Sequence, residues 1–404
     1  MIRSKSSPLI RSCILLYMAG LPWLHCATAQ ELAEGVQVHG FISQSLVRTT
    51  DNKVGGSSDQ HFATELREIG ANLSWRPTPE WLLSGQALAR WAGASDDGRL
   101  RLDYAFLDRT LFTDDSAQFG LRVGKIKIPY GFFNTTRDVA HTRPGIIMPQ
   151  SIYLDRIRDF ILSAPGISIY GSRAFGPIDW TWSLGVVRPD TSSADLESLF
   201  FLSDRPGELN GKTTLLGQLM ADIDGGRWRA GLTLGDVNTQ YEPRNDPWLL
   251  AGKNQLRPYV ISLEFNEEKF SLTGEYTQIN HTNRNYGPHP LAVALQTPNT
   301  VEGWYLQGTY RPSENWQVYL RRDEIYLDKN DKKGINPASI FPIPSYNTFA
   351  KDWVLGLRHD INGWELSAEI HRVDGTLWLS PMDNSFFSQR RRWNMLLLQG
   401  AWRF

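Results

Sequence analysis

The chain has 404 residues, with 42 Lys and Arg against 43 Asp and Glu, and two cysteines. That balance excludes a general nucleic-acid binder, which would carry a basic stripe over its whole surface. No stretch of eighteen apolar residues occurs, so helical membrane spans are excluded too, whereas a β-barrel, in which every second residue faces water, is not.

Residues 1–29 read as a secretory signal to be set aside. Arg3, Lys5 and Arg11 give a positive start, Cys13 to Leu24 is apolar, and Ala27-Thr28-Ala29 offers a small-residue cleavage site before Gln30. The apolar run is too short to span a bilayer. A lipoprotein attachment through Cys26 fits poorly, because Trp23-Leu24-His25 is bulky where small residues are needed. Both cysteines leave with the signal, so the mature chain has no disulfide, thiol nucleophile or cysteine metal site. Residues 30–404 then form one domain without a linker, with 39 basic against 43 acidic residues.

From Gly35 onward the sequence alternates as about sixteen short strands. Tight joints fall at Pro77-Thr78-Pro79, Thr113-Asp114-Asp115, Phe175-Gly176-Pro177, Asp224-Gly225-Gly226, Asn266-Glu267-Glu268, Pro312-Ser313-Glu314 and Ile361-Asn362-Gly363. Long connections fall between them, near residues 49–63, 93–100, 127–165, 189–211, 237–256, 281–301, 327–351 and 375–390. Tight turns on one side and long loops on the other predict an all-β, 16-stranded antiparallel transmembrane barrel, with short periplasmic turns and long extracellular loops. Strands close to ten residues or longer suit a tilted membrane crossing better than a soluble sandwich. The arrangement predicts location in a bacterial outer membrane, with lipid as the surrounding partner.

Alternation also assigns the faces. Tyr259, Ile261, Leu263 and Phe265 share one face, as do Phe270, Leu272 and Tyr276, then Trp304, Leu306 and Tyr310, and later Trp364, Leu366, Ala368 and Ile370. Trp75, Trp81, Trp180, Trp228, Trp316 and Trp364 sit beside tight turns, and Trp91, Trp304 and Trp353 near long loops, as two interfacial girdles would require. Leu396, Leu398, Gly400, Trp402 and Phe404 share a face of the last strand, which ends on an aromatic carboxylate. This resembles the terminal strand of bacterial outer-membrane proteins, and Trp402 and Phe404 are the implied insertion signal for the barrel-assembly machinery.

Sixteen strands enclose more room than their side chains fill, so an aqueous passage is expected unless something narrows it. The longest connection, 127–165, is the candidate constriction, being far beyond ordinary loop length. In and beside it Lys125, Lys127, Arg137, Arg143, Arg156 and Arg158 stand against Asp138, Asp155 and Asp159. Arginines in a narrow ring would favour anions, while neighbouring carboxylates would instead pair with them and hold the loop in shape. Both roles are open for Arg137 with Asp138 and for Arg156 and Arg158 with Asp155 and Asp159. A second set is expected on the lumen wall: Arg90, Arg122, Arg229, Arg311, Arg321 and Arg358, with Glu264, Glu275, Glu365 and Glu369.

Gly124-Lys125-Ile126-Lys127-Ile128-Pro129-Tyr130-Gly131-Phe132 and Thr136-Arg137-Asp138 resemble the stretch entering the third loop of the phosphate-selective porin O and P family. Arg143-Pro144 and Pro149-Gln150-Ser151-Ile152-Tyr153 resemble related proteobacterial porins. The resemblance implies a 16-stranded, commonly trimeric barrel whose third loop folds inward. It implies a channel for small hydrophilic solutes or anions, without implying phosphate selectivity.

Chemistry that would point elsewhere is sparse. His39, His359 and His371 have no serine at a recognisable spacing, so a barrel hydrolase has little support and the chain reads as no enzyme. Asp328-Lys329-Asn330-Asp331-Lys332-Lys333-Gly334 lacks the closing glutamate of a calcium loop. No cofactor or metal motif occurs. An adhesin or receptor would work through aromatic residues of the long loops, such as Trp248, Tyr286, Phe341, Trp378, Phe386 and Phe387.

Overall fold

Strict polar–apolar alternation leaves each segment one lipid-compatible face, and the only way to satisfy every strand edge in a bilayer is to close the sheet. The computed structural model describes residues 30–201, 205–340 and 343–404, so the expected signal lies outside the described residues. Sixteen strands form the barrel: β1 Val36–Thr49, β2 Ala63–Thr78, β3 Trp81–Ala92, β4 Asp97–Thr113, β5 Ala117–Lys127, β6 Ser163–Phe175, β7 Ile178–Val187 and β8 Thr214–Ile223. They continue as β9 Trp228–Glu242, β10 Gly252–Asn266, β11 Phe270–Arg284, β12 Asn299–Ser313, β13 Trp316–Tyr326, β14 Phe349–Ile361, β15 Trp364–Gly375 and β16 Arg392–Arg403.

Each strand pairs antiparallel with the next, and β16 closes on β1 from Met395↔Thr49 to Arg403↔Phe41. Two four-residue ribbons, Gln30–Ala33 and Glu208–Gly211, extend the base of β1 and the top of β9. All seven tight turns fall where expected. The second long connection shrinks to residues 93–96, because β4 runs 17 residues and carries the sheet past the membrane.

The outer face is predominantly apolar. Ile69 and Leu73 of β2, Ile261 and Leu263 of β10, Leu366 and Ile370 of β15 and Leu398 of β16 are all exposed. Trp75, Trp180, Trp228, Trp316 and Trp364 point outward beside the tight turns and Trp353 beside a long loop, where the amphipathic indole meets the lipid–water boundary. His359 faces outward as well, stacked on Trp316 with ring centroids 4.1 Å apart, so it does not enter the lumen. This belt and the closed 16-strand sheet fit a chain that stands in a bacterial outer membrane.

The closing seam has a specific fit. Gly40 and Phe404 exchange both backbone hydrogen bonds, at 3.0 and 3.1 Å, and the Phe404 ring lies where a Cβ on residue 40 would stand, 2.3 Å away. Gly40→Val is expected to cost about 1–3 kcal/mol through overpacking. A lower urea midpoint for the heat-modifiable barrel band would register it.

The inner face departs from simple alternation. Trp393, Met395 and Leu397 of β16 point inward and pack with Val47, Ile325 and Val373, with Ile146 and Leu154 of the third loop, and with Leu377, Trp378 and Leu379 of the last loop. A second cluster joins Ile128, Tyr130, Ile152 and Tyr153 to Leu216, Val260 and Tyr305 of the wall. A third seats the helix Ala194–Phe201 through Leu196, Phe200 and Phe201 against Val237, Tyr241 and Tyr286. The barrel interior is therefore partly a packed core made by folded-in loops.

Candidate functional site: the third loop across the lumen

Residues 128–162, between β5 and β6, fold into the barrel and reach nearly every wall. Gly131 turns the chain with a φ of +59°, a conformation L residues with a Cβ disfavour, and a Cβ here would lie 2.4 Å from the Tyr153 hydroxyl. Its N–H donates to Thr233 of β9 at 3.3 Å, and its carbonyl accepts from Gln218 of β8 at 2.9 Å. Phe132 N–H then donates to Glu275 of β11 at 2.8 Å. Asn134 holds the two ends of the loop together by donating to the carbonyls of Ile128 at 2.9 Å and Ile161 at 2.6 Å.

The chain then crosses to the opposite wall. Asp138 accepts from Gln86 of β3 at 2.6 Å and pairs with Lys127 at 2.9 Å. Arg143 pairs with Glu68 of β2. The Arg143 carbonyl accepts from Arg358 of β14 and the Pro144 carbonyl from Gln307 of β12, at 3.0 and 2.9 Å. The backbone amides of Ile146 and Ile147 donate to Glu369 of β15 at 3.0 and 3.2 Å. Those of Gln150 and Ser151 donate to Asp323 of β13 at 2.7 and 3.1 Å. Buried carboxylates of the wall thus supply acceptors for loop amides that no sheet satisfies, as a non-helical segment at membrane depth requires.

Glu275 and Glu369 each gather four partners. Besides Phe132 N–H, Glu275 accepts from the hydroxyls of Ser262, Tyr153 and Tyr305, at 2.6, 2.5 and 2.9 Å. Glu369 likewise gathers the Tyr319 hydroxyl at 2.6 Å and His371 at 3.1 Å, with His371 bridging on to Asp352 at 2.6 Å.

Every basic residue expected at the constriction has a location. Arg137 (2% exposed) pairs with Asp155 at 3.1 Å, and Arg158 (3% exposed) with Asp103 of β4 at 2.9 Å. Arg90 of β3 joins Glu68, Asp96 and Asp155. Arg156 binds the Leu377 carbonyl at 3.0 Å and the Ser198 hydroxyl at 2.7 Å. Asp159 lies 3.2 Å from Arg101. The closest pairing partners differ from those adjacency suggests: Arg137 reaches past Asp138 to Asp155, and Arg158, 3.7 Å from Asp159, lies closer to Asp103 of the wall. Partial burial works against ionisation of Asp155, but the guanidiniums of Arg90, Arg137 and Arg158 overcome it and hold its carboxyl well below the usual carboxylate range. Its share of the loop's stability is therefore complete above roughly pH 4 and lost only as pH falls through the depressed value.

Lys125 is a correction. Its cross-strand partner is Ala105, on the outward face shared with exposed Val123 and Leu107, and its amine reaches round to the Leu102 carbonyl at 2.7 Å. It is a lipid-side lysine extending its ammonium toward the boundary, not a pore contact. Two residues later Lys127 lies inside, over the Tyr104 ring, because the strand ends there and the chain bends inward.

On the wall, Arg122 pairs with Asp108 at 2.6 Å and stacks over Tyr170. Arg229 bridges Asp222 and Glu264. Arg311 donates to Asn266 and Ser271, and Arg321 to Gln307 and the Ile147 carbonyl. Arg358 lies 3.3 Å from Glu365. Asp103, Glu68 and Asp323, which hold the loop, were not singled out from sequence; the inward parity of Glu68 and Asp323 was readable, whereas Asp103 faces inward only because the β3–β4 register shifts beside it.

Polar spaces remain beside the loop. One of about 100 Å³ lies against β1 to β3 and β16, with Lys53, Arg90, Arg137, Arg143, Arg156 and Arg158 among its lining residues against Glu68, Asp155 and Asp383. Another, about 560 Å³, opens toward the tight-turn end along β3 to β8 and includes Arg122, Lys127, Gln118 and Gln218.

No protein-family model and no curated protein sequence matches the chain, so the phosphate-selective porin resemblance rests on the loop residues quoted above. Among solved structures, the outer membrane channel DcaP of Acinetobacter baumannii is similar at 14% identity and TM-score 0.57, covering 94% of this chain and 100% of that one. A loop L8 deletion mutant of OmpT, an outer membrane protein of Vibrio cholerae, is similar at 9% identity and TM-score 0.54, covering 91% and 99%. A trimer form of OmpT is similar at 10% and 0.51, covering 91% and 99%. These likenesses concern fold: the chain is a 16-stranded β-barrel of the bacterial outer-membrane kind, with its third loop folded inward.

Proposed function

We propose that the protein is an outer-membrane channel for passive diffusion of small hydrophilic solutes, with a preference for anions. The observation that carries this reading is the third loop, which crosses the lumen and is tied to opposite walls rather than lying outside. A barrel of this width needs such a segment only to restrict an otherwise wide passage. The anion preference is supported by the excess of basic over acidic residues around the 100 Å³ cleft beside the loop, where poor solvation strengthens their field. An adhesin or hydrolase has no comparable feature in its favour. The trimer form of OmpT supports a homotrimer, and the Trp402–Phe404 end supports recognition by the barrel-assembly machinery.

Planar-bilayer recording tests the reading. The purified barrel should conduct without any partner, and its reversal potential in a salt gradient should indicate anion preference; silence or clear cation preference would refute it. Arg143→Gln with Arg156→Gln should lower the anion-to-cation permeability ratio by roughly twofold or more, because lumen potentials are of the order of kT.

A further inference from the structure

The three apolar clusters meet near the long-loop end of the lumen without filling the space between them. They leave a cavity of about 150 Å³, separate from the polar spaces. Its wall is Leu216 of β8, Val237 of β9, Leu256 of β10, Ile279 of β11, Val301 of β12 and Ile325 of β13, all on lumen-facing positions. The third loop contributes Leu154 and Phe160, and the helix Ala194–Phe201 covers it with Leu196 and Phe200. No Lys, Arg, Asp or Glu is among its described lining residues. Polar side chains also line it, among them Ser151, whose Oγ adjoins Asp323, and His281, whose Nε2 adjoins Asn283.

We propose that this cavity is a binding site for a compact, uncharged, apolar molecule with a single hydrogen-bonding group, an aryl alcohol in chemical class. Leu216, Val237 and Ile325 also seat the folded-in loops, yet the six apolar side chains leave this space unfilled, and each must be kept from water. An apolar space of about this volume admits a benzene-sized guest. A charged solute would lose its hydration here and meet no counter-charge. The hydroxyl of the guest would donate to the lone pairs that Ser151 Oγ keeps beyond its own donated bond. The proposal concerns equilibrium binding and does not rest on conduction.

The test uses the full mature barrel in lipid nanodiscs, with 4-fluorobenzyl alcohol and 4-fluorobenzoate as probes read by fluorine NMR. The alcohol should bind saturably and the benzoate should not. Val301→Phe, which fills the cavity from the wall, should weaken the alcohol by roughly tenfold or more, about two buried methylenes' worth; Ile279→Phe serves if that variant does not fold. Unsaturable partitioning, equal affinity in a folded filled variant, or equal binding of the benzoate overturns the proposal. A barrel that binds the alcohol but conducts nothing removes the channel reading and leaves this one intact.

Discussion

Glu275→Ala is expected to release the third loop and raise single-channel conductance severalfold, with added open-channel noise. The substitution leaves Phe132 N–H and the hydroxyls of Ser262, Tyr153 and Tyr305 without their shared acceptor. Each buried donor left unsatisfied costs about 1–3 kcal/mol, and two of the four belong to the loop itself. That loss is concentrated at the point where the loop first meets the far wall, while the sheet hydrogen bonds of β11 are untouched. The barrel should therefore stay folded and heat-modifiable while the loop becomes cleavable by added protease between residues 131 and 153. Glu275→Gln keeps one acceptor oxygen and should fall between. A variant that retains parental conductance and protease resistance would refute the anchoring role.

Asp103→Ala is expected to destabilise the barrel strongly. Arg158 is 3% exposed, and its bidentate partner is Asp103, at 2.9 and 3.3 Å. Removing one member of a buried pair strands the other charge, at a cost of about 3–5 kcal/mol. Asp103 also accepts from Gln86 at 3.2 Å, so the loss spreads to the Asp138 contact. Equilibrium urea unfolding in micelles would read this as a lower midpoint. The double variant Asp103→Leu with Arg158→Met removes both charges and should recover most of the stability. If it is no better than Asp103→Ala, the cost lies in packing rather than in the stranded guanidinium.

Much of the architecture was legible because period-two alternation is a local property. Trp364, Leu366, Ala368 and Ile370 face lipid as read, and the outward tryptophans mark both boundaries. The error at Lys125 has the same origin. Adjacent charges at 125 and 127 read together as one basic entry to the loop, yet parity puts the first on the lipid side and the end of the strand lets the second turn inward. His359 and Arg358 divide in the same way, one outward on Trp316 and the other inward on the Arg143 carbonyl.

Sequence alone determined the strand count, closure, the lipid face and the unusual length of the segment after Lys127, since alternation, turn residues and loop lengths are each confined to a few neighbouring residues. Only the tertiary structure decided which charges meet. Arg143 finds Glu68 from 75 residues away and Ile146 finds Glu369 from 223, and no spacing rule encodes those partners. It also decided that part of the inner wall is dry, because an inward apolar residue such as Leu397 or Val301 is buried only once a loop from elsewhere in the chain has folded over it.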